Sequence, residues 1–203
     1  MTVHHARGCE VTGTDRSGIP PAVAATRAAD VAVVVLGERP TSFTRPGGTD
    51  GEAMDAADLE LTGVQEELLR AMHATGTPVV LVLLNGRALA VNWAAAHVPA
   101  IVEAFLPGEF GGRAVAEILY GHVNPSGRLP VTVPRSVGQL PLTYDQKRLR
   151  AKAGDYVGLS ASPLRVRPRP ELHHLLLRPA PAHPHPHARR PEHGGAGGHH
   201  QHR

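Results

Sequence analysis

The chain has 203 residues, with 21 Lys and Arg against 18 Asp and Glu, so its formal charge is only +3. That length is enough for one domain with a real hydrophobic core. The near balance of charge gives no reason to expect nucleic acid as a partner.

Three absences in the sequence narrow the class of protein further. A single cysteine, Cys9, excludes an internal disulfide framework. No apolar run reaches the ~18–20 residues that a membrane span requires, so we expect no membrane partner. No charged start followed by an apolar segment marks a signal peptide, which slightly favours a cytoplasmic location.

The first elements predicted along the chain are a helix and a strand. Residues 1–20 form an irregular lead-in, and the alanine-rich segment 21–29 is predicted to be helical because Pro20 and Pro21 are tolerated in a first helical turn. Residues 31–36 are a continuous apolar run rich in valine. Such a run predicts a strand that is buried on both faces.

A long loop and an amphipathic helix follow. Residues 37–58 are rich in Gly, Pro, Thr and acidic side chains, and a loop of this length is usually functional or mobile. Residues 63–75 are predicted to be helical, with Gly76 as the C-terminal stop. Their apolar positions share one face: Val64, Leu68, Leu69 and Met72.

The remaining elements repeat the alternation of strand and helix. Residues 79–84 and 100–105 are two further buried strands, each ending in a turn that contains glycine. Residues 88–96 are predicted to begin as a strand and to turn helical, and residues 112–120 form the next helix. Prolines flank residues 129–133, so that segment is predicted to be an edge strand. The pattern predicts an α/β domain with a mostly parallel sheet sandwiched by helices.

The composition changes after about residue 164. Residues 165–203 hold nine of the 14 histidines and seven of the 19 prolines, and no aromatic residue follows Tyr156 except histidine. Such a segment cannot bury enough apolar surface to offset the entropy of ordering it, so we predict a disordered tail. Its histidines would bind Ni²⁺ or Zn²⁺ opportunistically, and we expect no designed metal site and no cofactor.

Several ordered motifs resemble the C-terminal domain of glycoside hydrolase family 3, of the β-glucosidase type. The resemblance covers about residues 5–164. The motifs are ADVAVVVLGE (29–38), GEAMDAADLELTGVQEELL (51–69), PVVLVLLNGRALAVNW (78–93), PAIVEAFLPGEFGG (99–112), AVAEILYGHVNPSGRLPVTVPRSVGQLPLTY (114–144) and, more faintly, HARGCEVTG (5–13).

This resemblance implies a retaining glycosidase whose catalytic groups are split between two domains. In the family an N-terminal barrel domain carries a nucleophilic Asp, and a long loop of the C-terminal α/β sandwich brings the acid/base, usually a Glu. By its place in GEAMDAADLEL, Glu52 resembles that acid/base. The implied partners are a β-linked glycoside and a barrel domain, here absent or separately encoded. We therefore expect this chain alone to be inactive or nearly so.

Other residues near the strand ends compete with Glu52 or serve structure. Glu38 and Asp50 are the competing carboxylates, and the alternative for Glu38 is a helix cap or a loop hydrogen bonder. Asn85-Gly86-Arg87 is predicted to be structural, because Asn-Gly tolerates positive φ. We expect Glu109 to cap the helix near Gly112. Trp93 could stack on a sugar ring, but a lone Trp after an apolar strand is more often a core residue.

The loop departs from the family pattern at two places. The family often has an Arg shortly after the Glu, and residues 54–57 offer none. It often has Pro before Gly-Val-Gln, where this chain has Thr62. These departures weaken the resemblance of the loop to the family pattern, but Glu52 keeps the position of the family Glu.

The tail suggests a hypothesis about the gene. Where the family continues with an aromatic-rich strand resembling FGHGLSYTTF, residues 166–175 read VRPRPELHHL. One permitted set of codons for this segment encodes FGHGLSYTT when it is shifted by one base. The hypothesis is that residues 165–203 are out-of-frame translation. Coding DNA in which no single-base shift restores that strand would exclude it.

The sequence leaves two alternatives to a catalytic half-enzyme. One is a non-catalytic carbohydrate-binding or assembly module that meets a separately encoded barrel domain. The other is an inactive truncated gene product, which the frame hypothesis supports. An upstream open frame encoding a barrel, interrupted near Met1, would indicate a broken gene.

Overall fold

The computed structural model describes residues 1–40, 47–51 and 55–142. Its centre is a parallel sheet of three strands: β1 (Ala32–Gly37), β2 (Val79–Leu84) and β3 (Ala100–Glu103), in the order β1-β2-β3. The register places Leu81 of β2 opposite Val34 on one side and Ile101 on the other. Glu52 and the predicted tail, residues 165–203, lie outside the described residues.

Helices precede, connect and follow the strands. They are α1 (Ile19–Arg27), α2 (Gln65–His73), α3 (Asn92–His97), α4 (Gly111–Leu119) and the short 3₁₀ helix η1 (Val137–Gln139). A parallel sheet flanked by helices is an open α/β fold, so the predicted fold class is confirmed. Among the described residues no helix has the length and apolarity needed to cross a bilayer.

Two predicted strand segments do not form. Residues 88–91 are not a strand, and this segment reaches α3 without joining the sheet. The predicted edge strand at residues 129–133 is wrong as well, since only Val133 makes a single β-bridge. Pro130 and Pro134 lack the N–H groups that a continuous ladder would use, which accounts for the failure.

The hydrophobic core lies on one face of the sheet. Inward side chains of β1 and β2 pack against the apolar face of α2, and Leu69 and Leu81 are fully buried. The amphipathic pattern predicted for α2 is therefore confirmed. The central members of this core are Ala32, Val34, Leu36, Leu68, Leu69, Met72, Val79, Leu81 and Leu83.

The opposite face of β1 is uncovered within the described part of the chain. Val33 is 46% exposed and Val35 is 54% exposed, while their neighbours Val34 and Leu36 are buried. The prediction that this strand is buried on both faces is therefore wrong. The helices that precede and follow β1 cover one face only, and a continuous apolar run looks the same in sequence whether one face of the strand or both are covered.

Candidate functional site

The ends of the three parallel strands bring together four polar side chains from three segments that are far apart in sequence. Glu38 follows β1, Asn85 and Arg87 follow β2, and Glu103 ends β3. Because the carboxyl ends of parallel strands meet at one edge of the sheet, these residues form a single group. We call Glu38, Asn85, Arg87 and Glu103 the strand-end cluster.

Glu38 is engaged through both of its carboxylate oxygens. Its side chain is only 4% exposed, and Oε1 lies 2.9 Å from Nε of Arg87 in an ion pair. Oε2 accepts hydrogen bonds from the backbone N–H groups of Gly86 (3.0 Å) and Arg87 (3.3 Å). The structure thus makes Glu38 a loop hydrogen bonder whose carboxylate is engaged within the described part of the chain.

The long loop after β1 returns to the sheet through a well-defined root, residues 47–51. Thr49 donates its N–H to the carbonyl of Arg39 at 2.8 Å and accepts the Arg39 N–H on Oγ1 at 3.0 Å. The Arg39 guanidinium also donates to the carbonyl of Gly47 at 2.6 Å. These bonds join the outgoing and returning stems of the loop beside the end of β1.

Arg87 joins this loop root to the strand-end cluster. Its Nη2 donates to the carbonyl of Thr49 at 2.5 Å, while its Nε faces Glu38. The guanidinium also lies against Gly51, where a Cβ atom would come within 3.3 Å of Nη2. One side chain therefore contacts both the end of β1 and the last described residue before Glu52.

Gly86 is required here because of a close approach and not because of its φ angle. Neither Asn85 nor Gly86 has a positive φ, so the conformational reason predicted for Asn-Gly is wrong. A Cβ on Gly86 would overlap the backbone carbonyl of Asp50 and lie 2.9 Å from the Asp50 Cβ. Asp50 itself is only 5% exposed. The turn after β2 therefore packs directly on the loop root.

Asn85 and Glu103 form the part of the cluster nearest β3. Asn85 is fully buried and donates from Nδ2 to the carbonyl of Arg87 at 2.7 Å. Burial raises the pKa of Glu103 to about 7, against the lowering effect of hydrogen bonds from Phe105 and Asn85, and the nearby charge of Glu38 raises it further. A partly buried carboxyl beside a second carboxylate thus titrates near neutral pH.

This raised pKa of Glu103 makes stability depend on pH. Because the folded chain binds the proton more tightly, the stabilisation is full below the ordinary value of 4.5 and is lost as pH rises through about 7. Urea unfolding across that window should show the wild type losing on the order of 2–3 kcal/mol relative to Glu103→Gln. Parallel profiles for the two proteins would show that Glu103 is not a buried titrating group.

The remaining candidates take structural roles or none. Trp93 is partly buried and packs against the edge of the core, where it stacks on the His97 ring at 4.6 Å and has the Arg70 guanidinium 4.5 Å from its centroid. Glu109 is not the cap of α4, since the N-cap residue is Phe110. Burial and the charge of Glu10 raise the pKa of Cys9, which disfavours the reactive thiolate.

Gln65 is a residue that sequence reasoning missed. Its Oε1 accepts the N–H of Gly37 at 2.8 Å, and its Nε2 donates to the Gly37 carbonyl at 2.9 Å and to the Val11 carbonyl at 3.1 Å. The side chain is thereby satisfied although the residue is only 2% exposed. The available signal was a glutamine beside the buried face of an amphipathic helix. No group of three or more potential metal ligands occurs in the described ranges.

Comparison with known proteins places this arrangement in a family. Residues 4–163 match the model of the glycosyl hydrolase family 3 C-terminal domain. A β-xylosidase from Formosa agariphila is 42% identical over 144 residues, which are 71% of this chain and 19% of that protein. A periplasmic β-glucosidase from Salmonella typhimurium is 43% identical over 126 residues, which are 62% of this chain and 16% of that protein.

Solved structures agree in fold. A β-glucosidase from Erythrobacter marinus superposes with a TM-score of 0.66 at 41% identity, over 79% of this chain and 24% of that protein. The chain spans about a fifth of the length of the curated relatives described above. The chain therefore belongs to glycoside hydrolase family 3, where it corresponds to the C-terminal domain.

Proposed function

We propose that this chain is the acid/base half of a retaining β-glycosidase and that Glu52 is its general acid/base. The observation that carries the proposal is the fate of the competing carboxylates. Glu38 is buried with both oxygens engaged, and Asp50 is buried beneath the turn after β2. Both competing carboxylates are thus taken up by structural contacts among the described residues, which supports Glu52 as the proposed acid/base.

The position of the loop supports the same role. Ligands of open α/β sheets bind beyond the carboxyl ends of the strands, and this loop leaves the carboxyl end of β1. Its root, residues 47–51, is fastened to that edge through Arg39 and Arg87, and Glu52 is the next residue in the chain. A catalytic group benefits from such a support because small displacements cost rate.

The chemistry requires a second carboxylate from another domain. In retaining hydrolysis one carboxylate attacks the anomeric carbon, and the other protonates the leaving oxygen and then deprotonates water, at a separation of about 5–5.5 Å. In this family the nucleophile comes from the barrel domain, and the matched region here corresponds to the other domain. The proposed substrates are terminal β-linked glycosides, consistent with relatives named β-glucosidase and β-xylosidase.

The proposed division of the chain is an α/β domain over residues 21–164, after a lead-in over residues 1–20. We propose that residues 165–203 contribute nothing to catalysis, in line with the frame hypothesis. Truncation after residue 164 should therefore leave reconstituted activity within about twofold of the full chain, as expected of an appended tail.

A complementation assay tests the proposal. The purified chain alone should not hydrolyse an aryl β-glucoside or β-xyloside, and adding a family 3 barrel domain should produce turnover. Glu52→Gln should reduce that turnover by about 10²–10⁴-fold, the usual contribution of general acid/base catalysis. Robust turnover by the chain alone, abolished by Glu52→Gln, would overturn the claim that the chain is half of a site. Full activity of the Glu52→Gln complex would overturn the assignment of the acid/base.

A further inference from the structure

We infer that Arg87 is a positioning residue, which holds the root of the acid/base loop against the end of β1. The inference deepens the proposed function and, as far as catalysis is concerned, rests on it. Its basis is a set of contacts that the Arg87 guanidinium makes with described residues.

Arg87 is itself held in place by several contacts. Its side chain is 18% exposed, and its Nε lies 2.9 Å from the carboxylate of Glu38, which is 4% exposed. The same carboxylate accepts the backbone N–H of Arg87 at 3.3 Å and that of Gly86 at 3.0 Å. Asn85 donates a hydrogen bond from Nδ2 to the backbone carbonyl of Arg87 at 2.7 Å. Backbone and side chain are thus fixed together at the ends of β1 and β2.

A second nitrogen of the same guanidinium reaches the loop root. Nη2 donates to the carbonyl of Thr49 at 2.5 Å and lies against Gly51. Arginine presents its donors in a rigid planar fork, so one residue can serve Glu38 and Thr49 at the same time. A lysine has a single ammonium on a flexible stem and could satisfy one of these partners.

A short covalent path joins this clamp to the proposed acid/base. Gly51 lies against the guanidinium, and Glu52 is joined directly to Gly51. Thr49 is fastened from the other side by its two bonds with Arg39. Loss of the Arg87 bond would therefore free the segment next to Glu52 while the bonds to Arg39 still close the loop.

Hydrogen exchange in the whole chain tests the clamp without any assay of activity. Because Arg87→Met alone leaves a buried carboxylate without its cation, the informative variant is the double replacement Glu38→Gln with Arg87→Met. Exchange in peptides that span residues 47–58 should accelerate by about tenfold or more, as expected of a local opening, with β2 unchanged. In Arg87→Lys the exchange rate of the same peptides should lie between those of the wild type and the double variant. Arg113→Met, which removes an exposed arginine paired with Glu117, is the matched control and should match the wild type.

Kinetics of the complex with a barrel domain test the catalytic consequence. The double variant should lose about 10–100-fold in kcat with KM within about twofold, since a misplaced acid/base slows chemistry more than binding. Arg87→Lys should recover part of the loss, which a general loss of stability at the assay temperature would not explain. Unchanged exchange at residues 47–58, or an unchanged kcat in a complex that Glu52→Gln inactivates, would overturn the inference. If the wild-type complex shows no turnover, the proposed function fails, and the exchange result alone decides whether Arg87 holds the loop root.

Discussion

Arg87→Met is expected to lower the free energy of unfolding by about 3–5 kcal/mol, the usual cost of breaking one partner out of a buried ion pair. The cost is large because Glu38 is 4% exposed and would remain in place without its cation. The two backbone N–H groups that Glu38 also accepts would offset only part of the loss. Urea unfolding monitored by circular dichroism measures this difference.

The double replacement Glu38→Gln with Arg87→Met separates two contributions to the lost stability: the unpaired charge of Glu38 and the lost packing of the Arg87 side chain. A neutral amide can still accept the backbone N–H groups of Gly86 and Arg87, so the double variant should recover more than half of the lost stability. Arg113→Met removes an exposed pair with Glu117 and should cost less than about 0.5 kcal/mol. Equal losses in the single and double variants would show that the ion pair does not carry the effect.

Gly37→Ala is expected to cost about 3–5 kcal/mol, because a side chain there must displace backbone and not merely a flexible side chain. Gly37 has φ of +140°, and a Cβ atom would overlap the carbonyl of Leu84 and lie 2.7 Å from its carbon. Moving the end of β2 would also disturb the two hydrogen bonds by which Gln65 holds Gly37. Thermal or urea unfolding of the variant gives the magnitude.

Gly76→Ala is the matched control for this prediction. Gly76 has φ of +83°, and a Cβ there would have no neighbouring atom within 4 Å. The control therefore carries only the cost of a left-handed conformation, about 1–2 kcal/mol. If Gly37→Ala costs no more than Gly76→Ala, the close contact between β1 and β2 at Leu84 is not tight in solution.

The elements of this fold were largely predictable because their signals are local. β2 was predicted with its observed bounds, Val79–Leu84, since a run of six apolar residues ends at Asn-Gly. The bounds of β1 and α2 differed from prediction by one or two residues at each end, as is usual where helices and strands fray. The number of faces that are covered is not local, and for this reason the exposure of Val33 and Val35 could not be predicted.

The site was predictable only in part, because its contacts join distant segments. Glu38 was recognised as a carboxylate at a strand end, but its pairing with Arg87 spans 49 residues, and no local pattern encodes it. Glu103 looked like an ordinary residue of an apolar strand, and its raised pKa follows from burial that the sequence does not reveal. Glu52 was named from the resemblance to the family and stays a prediction.

The contacts of Arg87 connect the stability of the sheet edge with the position of the loop that carries Glu52. The loop has glycine at residue 51, where φ is +97° and the backbone lies against the guanidinium, and the turn after β2 has glycine at residue 86, where it contacts Asp50. Glycine leaves a loop few side-chain contacts of its own. The ion pair at the strand ends gives such a loop a fixed point, so we expect the stability of the sheet edge and the placement of the proposed acid/base, Glu52, to be linked.

The dependence of rate on the leaving group, measured for the complex of this chain with a family 3 barrel domain, tests the central claim most directly. An alkyl β-glucoside needs a proton for departure, whereas a dinitrophenyl β-glucoside does not. If Glu52 is the acid/base, Glu52→Gln should slow the first step for the alkyl substrate by about 10²–10⁴-fold and leave that step for the dinitrophenyl substrate within about tenfold. Equal losses for the two substrates, or no loss for either, would contradict the assignment of Glu52.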